Sequence, residues 1–289
     1  MTSPAYCIHL FLAEPIAEQY ASHIRCHFFN YIIYKHNSEA PLTHSMLLSH
    51  RGPSLLKAAE NQHRDILLCD TDRLLEQAGR IPCPRIAVSH STNKGEGLMS
   101  CPWLICSPEA LNEHFLNQVW CRYHKYPISI LETERCILRE LTLSDLPGLM
   151  KLQEENDSDP SACFFPPELF PEEAEKYLNN YINQQYPFYG YGYYGILLRQ
   201  PAEHPLIGII GLSATATEDR EEETGTEIGY ALLEKYQGRG ICSEILPALL
   251  KYIQFYYSPD PVVARIRRDN IASIRLASKN LLDIILTDP

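Results

Sequence analysis

The chain has 289 residues, of which 45% are hydrophobic and 21% are charged, a composition typical of a soluble globular protein with room for two domains. Residues 1–128 carry 11 basic and 11 acidic residues, whereas residues 129–289 carry 14 basic and 25 acidic ones and so hold the whole net charge of −11. This acidic half argues against nucleic acid as a partner, and it fits either attraction of an amine-bearing partner or no more than solubility.

No apolar run approaches the roughly 18–20 residues that a membrane-spanning helix needs, so we expect no membrane partner. The short apolar stretch near the N-terminus lacks the basic start of a secretory signal and is predicted to be a strand. The ten cysteines form no CxxC pair, and several stand in apolar runs. We therefore expect reduced thiols in a cytoplasmic protein, with neither a disulfide framework nor a zinc site.

In the first half of the chain, short apolar runs alternate with helical patterns. The predicted strands are Tyr6–Ala13, Ile66–Cys69, Ile86–Val88 and Trp103–Cys106. A helix over Arg73–Gly79 has Gly79 as its C-cap, and Ser107 with Pro108 predicts the start of a second helix that reaches about Tyr123. This alternation indicates a small Rossmann-like α/β domain with a parallel sheet over residues 1–128.

Two aspartates, Asp70 and Asp72, follow the second of these strands. The run Ile66-Leu-Leu-Cys-Asp-Thr-Asp72 superficially resembles the nucleophile motif of haloacid-dehalogenase-like phosphatases, but that motif normally opens the chain and continues with Gly-Thr. We interpret the domain as a non-catalytic remnant in which Asp70 is a helix N-cap and Asp72 a first-turn acid. The histidines of this half show no metal-binding spacing.

In the second half, strands are predicted at Cys136–Leu138, Tyr193–Leu198, Leu206–Leu212, Glu227–Leu233 and Val262–Arg267. One helix is predicted to begin near Ser144, and another near Pro171. A third helix follows Gly240. It carries apolar residues at a spacing of four, namely Ile241, Ile245, Leu249 and Ile253.

The turn before that third helix has the character of an anion cradle. The backbone N–H groups of a glycine-bearing turn and of a first helical turn have no partner inside the helix and point towards a ligand. Gly238 and Gly240 allow left-handed backbone and a close approach to that ligand. Arg239 places a positive charge at the rim.

This segment, Gln237-Gly-Arg-Gly-Ile-Cys242, resembles the Q/R-x-x-G-x-G/A coenzyme A signature of GNAT acetyltransferases. Three further segments match the branch that includes the ribosomal-protein alanine acetyltransferases, and they occur in the same order. Leu131–Glu140 resembles the opening strand, Glu227–Tyr230 the fourth strand, and Asn270–Arg275 the start of the last helix. The resemblance covers residues 131–282 and implies a GNAT N-acetyltransferase domain over residues 129–289, with a mixed central sheet flanked by helices.

The resemblance further implies that acetyl-CoA, without a metal, lies in a gap between two splayed parallel strands. A neutral amine of a small molecule or a protein N-terminus would attack the thioester directly, after losing a proton to a base. The implied cofactor-binding residues are Tyr230, Ala231 and Leu232 for the pantetheine, Gln237, Gly238, Arg239, Gly240, Ile241 and Cys242 for the diphosphate, and Asn270 near the last helix.

Glu227 is the candidate catalytic base, because it lies on the strand beside the implied thioester; alternatively it is a solvated or ion-paired strand residue. Ser213 is a candidate substrate contact at the end of the preceding strand. Tyr189 and Tyr191, in an aromatic cluster before a strand, are candidates for a wall of the acceptor pocket, although packing against helices is the commoner fate of such residues.

Some features depart from the family. Ala277 stands where relatives often place a tyrosine that acts as the acid, and Arg265 stands where some place their base. We also expect the sequence to lack the final β-hairpin of its relatives. These departures favour, as an alternative, a non-catalytic acyl-CoA-binding or regulatory module. A bifunctional protein with a hydrolase-like first domain is a third hypothesis, and the acceptor itself is not identified by the sequence.

Overall fold

The chain folds into two compact units, Met1–Tyr126 and Pro127–Pro289. The structure, a computed structural model, describes residues 6–26, 30–34, 64–156, 163–166, 169–201, 203–216, 224–257 and 262–288. Within these ranges, every helix is too short or too polar to cross a bilayer.

The first unit contains a five-stranded, wholly parallel sheet in the order β2-β1-β3-β4-β5. Its strands are β1 Tyr6–Phe11, β2 Asn30–Ile33, β3 Arg64–Cys69, β4 Arg85–Val88 and β5 Leu104–Ile105, and its described helices are α1 Glu14–Cys26, α2 Asp72–Ala78 and α3 Glu113–Tyr123. β1 is buried along its whole length, as expected for a parallel strand covered on both faces. The parallel sheet predicted for this half is therefore present.

Two predicted helix starts in this unit are wrong. The N-cap of α2 is Thr71, not Asp70, because Thr71 has extended backbone and its hydroxyl accepts from the Leu74 amide. Ser107 and Pro108 begin only one 3₁₀ turn, which ends before α3 starts afresh with Asn112 as its N-cap. Asp72 in the first turn and Gly79 as C-cap of α2 are confirmed.

The second unit contains a seven-stranded mixed sheet in the order β12-β11-β10-β9-β8-β7-β6. Its strands are β6 Ser129–Glu132, β7 Cys136–Glu140, β8 Tyr193–Leu198, β9 Leu206–Ala216, β10 Thr224–Leu232, β11 Val262–Arg267 and β12 Asp283–Thr287, and its described helices are α4 Leu146–Glu155, α5 Ala174–Tyr189, α6 Ile241–Tyr256 and α7 Ile271–Lys279. β6 to β10 pair antiparallel, whereas β10, β11 and β12 pair in parallel. The predicted mixed sheet flanked by helices is confirmed.

The helical spacing in the second unit has the predicted effect. Ile241, Ile245, Leu249 and Ile253 are all buried on one face of α6. At the end of the described chain, where the sequence predicts no strand, residues 283–287 form β12 and pair in parallel with β11. That segment is one strand along the edge of the sheet, not a hairpin.

β10 and β11 separate soon after they begin. Their pairing consists of Thr226 with Val262 and Glu227 with Val263, although β10 continues to Leu232 and β11 to Arg267. Beyond Glu227, the edge of β10 that faces β11 has backbone groups without a strand partner in the described structure. The two parallel strands thus open a gap at their carboxyl ends, where α6 begins.

Candidate functional site

A cleft of about 440 Å³ lies at this gap. Its lining residues come from the end of β10, the following turn, the first turn of α6 and the first turns of α7, with Asn156 at the end of α4. Of the residues predicted to bind a cofactor, the cleft brings together Tyr230, Ala231, Leu232, Gln237, Gly238, Gly240, Ile241, Cys242 and Asn270. These residues are separated by up to 40 positions in the sequence, and the fold brings them together in one cleft.

The turn that closes the cleft has the predicted left-handed geometry. Gly238 and Gly240 have φ angles of 68° and 74°, which only glycine adopts without strain. Gly240 is the N-cap of α6 and, having no side chain, leaves the first amides of the helix uncapped. The Gln237 side-chain Nε2 donates to the Leu232 carbonyl at 2.9 Å and ties the turn to the end of β10. The result is a set of N–H groups without a side-chain cap at the positive end of a sixteen-residue helix.

Two predicted cofactor residues use their polar groups inside the protein. The Asn270 side chain accepts from the Ser273 amide at 3.1 Å and caps α7, so its oxygen is engaged although the residue lines the cleft. Arg239 is exposed and is not among the lining residues, and its carbonyl accepts from Arg135 at 2.8 Å. Burial raises the pKa of the Cys242 thiol to about 12, which keeps it protonated and unreactive.

Arg135 supports this turn, although it is not among the residues that line the cleft, and the sequence did not indicate it. It lies in the turn between β6 and β7, and its Nε and Nη1 atoms contact Glu244 and the Arg239 carbonyl at 2.6 and 2.8 Å. More than 100 positions separate these partners in the sequence. Local pattern gives no signal for such a contact.

Glu227 lies on β10 where the gap begins, and it is paired with Arg265 of β11. The Arg265 Nε donates to Glu227 Oε2 at 3.1 Å, and both side chains are partly buried. Burial raises the pKa of Glu227, and the guanidinium of Arg265 lowers it by less, so the net shift is upward. The ion-pair reading and the base reading are therefore compatible, because within the described structure Oε1 has no hydrogen-bond partner.

The predicted acceptor-side residues separate into two groups. Ser213 lies directly opposite Glu227 in the β9–β10 ladder and hydrogen-bonds the Tyr193 phenol. Tyr193 itself lies across the β10 backbone, since a methyl group on Gly229 would come within 2.6 Å of its hydroxyl. The sequence predicted Tyr193 only as the first residue of a strand, and the structure brings its phenol into the neighbourhood of Glu227.

Tyr189 and Tyr191 are not among the residues that line the cleft. Tyr189 is 45% exposed at the end of α5, and the Tyr191 ring packs edge-on against Tyr257 with centroids 5.7 Å apart. Both residues therefore lie near the C-terminal end of α6, where Tyr191 contacts Tyr257.

Position 277 offers no proton donor to the cleft. Ala277 is fully buried in α7. A tyrosine hydroxyl that contacts this helix is that of Tyr230, which donates to the Ser273 carbonyl at 3.3 Å. Burial raises the pKa of Tyr230, so its phenol is neutral at physiological pH.

In the first unit, the two aspartates that follow β3 fix loops. Asp70 is buried, and its Oδ2 accepts from the Ala13 amide at 2.7 Å and contacts His90 Nε2 at 3.3 Å. Both Asp72 oxygens accept backbone amides, from Gly97 at 2.8 Å and Leu98 at 2.7 Å. These bonds give both carboxylates structural partners.

A second cluster of the first unit consists of Cys7, His9 and Asp65, whose possible metal-binding atoms lie within 4.8 Å of one another. The spacing of histidines in the sequence did not indicate it. His9 is fully buried, with Nδ1 at 2.9 Å from the Tyr34 hydroxyl and Nε2 at 3.1 Å from Asp65. Both ring nitrogens are thus in hydrogen bonds, which satisfies the imidazole without an ion.

A larger hollow of about 860 Å³ borders the last turns of α6 and the start of β12. None of the predicted site residues lines it. The cleft at the strand gap, though smaller, is the one that combines an anion cradle with a titratable group nearby.

Solved structures similar to this chain include three acetyltransferases. A GNAT-family acetyltransferase from Bordetella pertussis is 22% identical, with a TM-score of 0.44 over 52% of this chain and 86% of that one. An acetyltransferase from Salmonella typhimurium that modifies the N-terminal serine of the 50S ribosomal subunit protein L7/L12 is 26% identical, with a TM-score of 0.40 over 53% and 83%. The ribosomal-protein-S5-alanine acetyltransferase of Vibrio fischeri is 18% identical, with a TM-score of 0.42 over 53% and 81%.

The model of the acetyltransferase (GNAT) domain matches residues 135–280, which is half of the chain. The matched region spans β7 to α7 and contains the strand gap, the glycine turn and α6. The chain therefore belongs to the GNAT acetyltransferase family.

Proposed function

We propose that this protein is an acetyl-CoA-dependent N-acetyltransferase whose acceptor is a primary amine, on a small molecule or at a protein N-terminus. The observation that carries the proposal is the gap between β10 and β11, which opens beyond Glu227 and leads to the uncapped N-terminus of α6. One end of this arrangement binds anions, and the other end carries a carboxylate with a raised pKa.

The residues at the gap fit coenzyme A. Amides at the start of α6 lack a side-chain cap, and any side chain at Gly238 or Gly240 would strain the turn. A diphosphate satisfies such amides. The unpaired backbone edge of β10 at Tyr230–Leu232 suits the two amide groups of a pantetheine arm, which can pair with it as a strand would.

When bound, acetyl-CoA supplies an activated thioester carbonyl, and the protein supplies position and proton transfer. Glu227 accepts the proton that the acceptor ammonium must lose, directly or through water. Its raised pKa makes it a stronger base than an exposed glutamate, and Arg265 holds the carboxylate on the gap side of β10. The free Oε1 is the atom that we assign to proton acceptance.

Ser213 and Tyr193 border the same carboxylate on the side away from β11. Burial raises the pKa of Tyr193, so its phenol stays neutral and can donate or accept a hydrogen bond. We assign these two hydroxyls to orienting the acceptor amine. The negative charge of residues 129–289 favours an acceptor that arrives as a cation.

The test is Glu227→Gln, with thiol release from acetyl-CoA measured against a panel of small amines and peptides with free N-termini. Loss of a general base lowers kcat by about 10²–10⁴-fold, while the Kd for CoA stays unchanged because the cradle is intact. The matched control is Glu203→Gln, which removes an exposed glutamate in the β8–β9 connection. Unchanged turnover in Glu227→Gln would contradict the role of the carboxylate.

The second candidate is a non-catalytic acyl-CoA-binding module, favoured by the buried Ala277 at the position where relatives often carry a tyrosine. It predicts CoA binding by the wild-type protein without thiol release for any amine in the panel. Turnover of a single amine excludes it.

A further inference from the structure

The turn between β6 and β7 is clamped to the first turn of α6. The Glu244 carboxylate accepts from the Arg135 amide at 3.1 Å and from Arg135 Nε at 2.6 Å, and Thr133 also hydrogen-bonds it. Arg135 Nη1 donates to the Arg239 carbonyl at 2.8 Å. One arginine thus fixes both the glycine turn and the acid of the first helical turn.

This arrangement has an electrostatic consequence for the cradle. Glu244 lies in the first turn of α6, and its negative charge opposes an anion at that helix end. Although burial raises the pKa of Glu244, hydrogen bonds from Thr133 and Arg135 hold it below the usual range, so the charge is present at neutral pH. Arg135 compensates that charge at the entrance to the cradle.

The Arg135 guanidinium also has one nitrogen that is available to bind a ligand. Among the described residues, its Nη2 has no hydrogen-bond partner, and the side chain is 44% exposed. Nη2 lies 3.8 Å from where a methyl group on Gly240 would be, beside the N-cap of α6. A phosphate oxygen bound to the amides of the cradle would be within reach of this guanidinium.

From these contacts we infer that Arg135 is a phosphate ligand of the coenzyme, and that its Nη2 donates to a phosphate oxygen at the cradle while Nε and Nη1 hold the turn. The inference rests on the proposed coenzyme site. The inferred contact joins a guanidinium to a phosphate ester. The cation that binds the phosphate is then Arg135, whereas the sequence had pointed to Arg239.

The experiment is calorimetric titration of the full chain with CoA and with dephospho-CoA. Arg135→Met keeps the apolar stem and removes the guanidinium, and we expect its Kd for CoA to rise at least tenfold. Arg135→Lys restores the charge without the fork and should give an intermediate Kd. The control is Arg199→Met, which removes an equal charge from an arginine whose Nη1 bonds the Thr133 carbonyl of the same turn, and its Kd should equal that of the wild type.

A double-mutant cycle with Glu244→Gln separates a phosphate ligand from a residue that acts through Glu244. If Arg135 binds phosphate, Arg135→Met weakens CoA binding in the Glu244→Gln background as much as in the wild type. If the cost disappears in that background, Arg135 acts only through Glu244 and the inference is overturned.

The two titrants identify the phosphate. An equal loss for CoA and dephospho-CoA assigns the contact to the diphosphate, and a loss confined to CoA assigns it to the 3′-phosphate. A Kd of Arg135→Met within twofold of the wild type overturns the inference and leaves the proposed function intact. Absence of CoA binding by the wild type overturns the proposed function, and the inference falls with it.

Discussion

Glu227 is subject to two opposing effects, and their balance sets its chemistry. Burial favours the neutral acid, whereas the guanidinium of Arg265 at 3.1 Å favours the carboxylate. Burial is the larger effect, so the pKa of Glu227 is raised. A base with a raised pKa binds a proton more readily, and the arginine keeps enough of it ionised to act.

This balance predicts the effect of Arg265→Gln. Removal of the cation leaves burial unopposed, so the pKa of Glu227 rises further. The base must be deprotonated to act, and the acid limb of kcat/KM for the amine therefore moves to higher pH. The measurement is the pH dependence of kcat/KM with one amine held constant, because the amine has its own titration.

Arg267→Gln is the control for that experiment, since Arg267 lies on the same strand but pairs with Asp269. Its acid limb should coincide with that of the wild type. A shift of Arg265→Gln towards lower pH, or no shift, would show that Glu227 is not the group that titrates.

At the scale of elements, the turn between β10 and α6 depends on two glycines in left-handed conformation. Gly240 has a φ of 74°, and a methyl group there would lie 3.8 Å from Arg135, an ordinary contact distance. The penalty of Gly240→Ala is therefore conformational, about 1–2 kcal/mol for a residue with a Cβ. A turn that relaxes from this conformation also moves its amides away from the ligand.

We accordingly expect Gly240→Ala to lower both the free energy of unfolding and the affinity for CoA, as measured by denaturant titration and calorimetry. Gly95→Ala is the comparison, because Gly95 has open space around it and a φ outside the left-handed region. Equal stability and equal CoA affinity in the two variants would mean that the left-handed cap is dispensable.

The sequence predicted elements well where one local pattern determines them. Residues close together in the sequence determine both the helix α6, through its four-residue spacing of apolar side chains, and the glycine turn before it. Both were therefore predicted. Helix starts were less certain, because Asp70, Thr71 and Asp72 are all good caps and only the extended backbone of Thr71 selects it. Ser107 with Pro108 fits a 3₁₀ turn as well as an α-helix.

Contacts between segments that are distant in the sequence could not be predicted from local sequence patterns. The point at which β10 and β11 separate depends on the register of two strands that are 30 residues apart. The approach of Tyr193 to Glu227 depends on Gly229, which lies on β10, two strands from Tyr193 in the sheet. Arg135 joins a hairpin turn to a helix more than 100 residues later in the sequence. Only the assembled sheet brings these groups together.

At the scale of the whole molecule, the change of charge along the sequence and the boundary between the two structural units lie at nearly the same place. The first unit ends at Tyr126, and residues 1–128 carry no net charge, whereas the remainder carries −11. The family match begins at residue 135 and so lies wholly in the acidic unit. We propose that this unit performs the transfer and that the parallel sheet of residues 1–128 is non-catalytic.

We propose that CoA binds at one place in this molecule, the glycine turn beside the strand gap. Backbone hydrogen–deuterium exchange of the full chain, with and without millimolar CoA, tests it most directly, because exchange reports on both units at once. We expect protection of the amides from Gln237 to Ile245 and of the end of β10, with residues 6–126 unchanged. Exchange at the turn that is unaffected by CoA, or protection confined to the first unit, would contradict it.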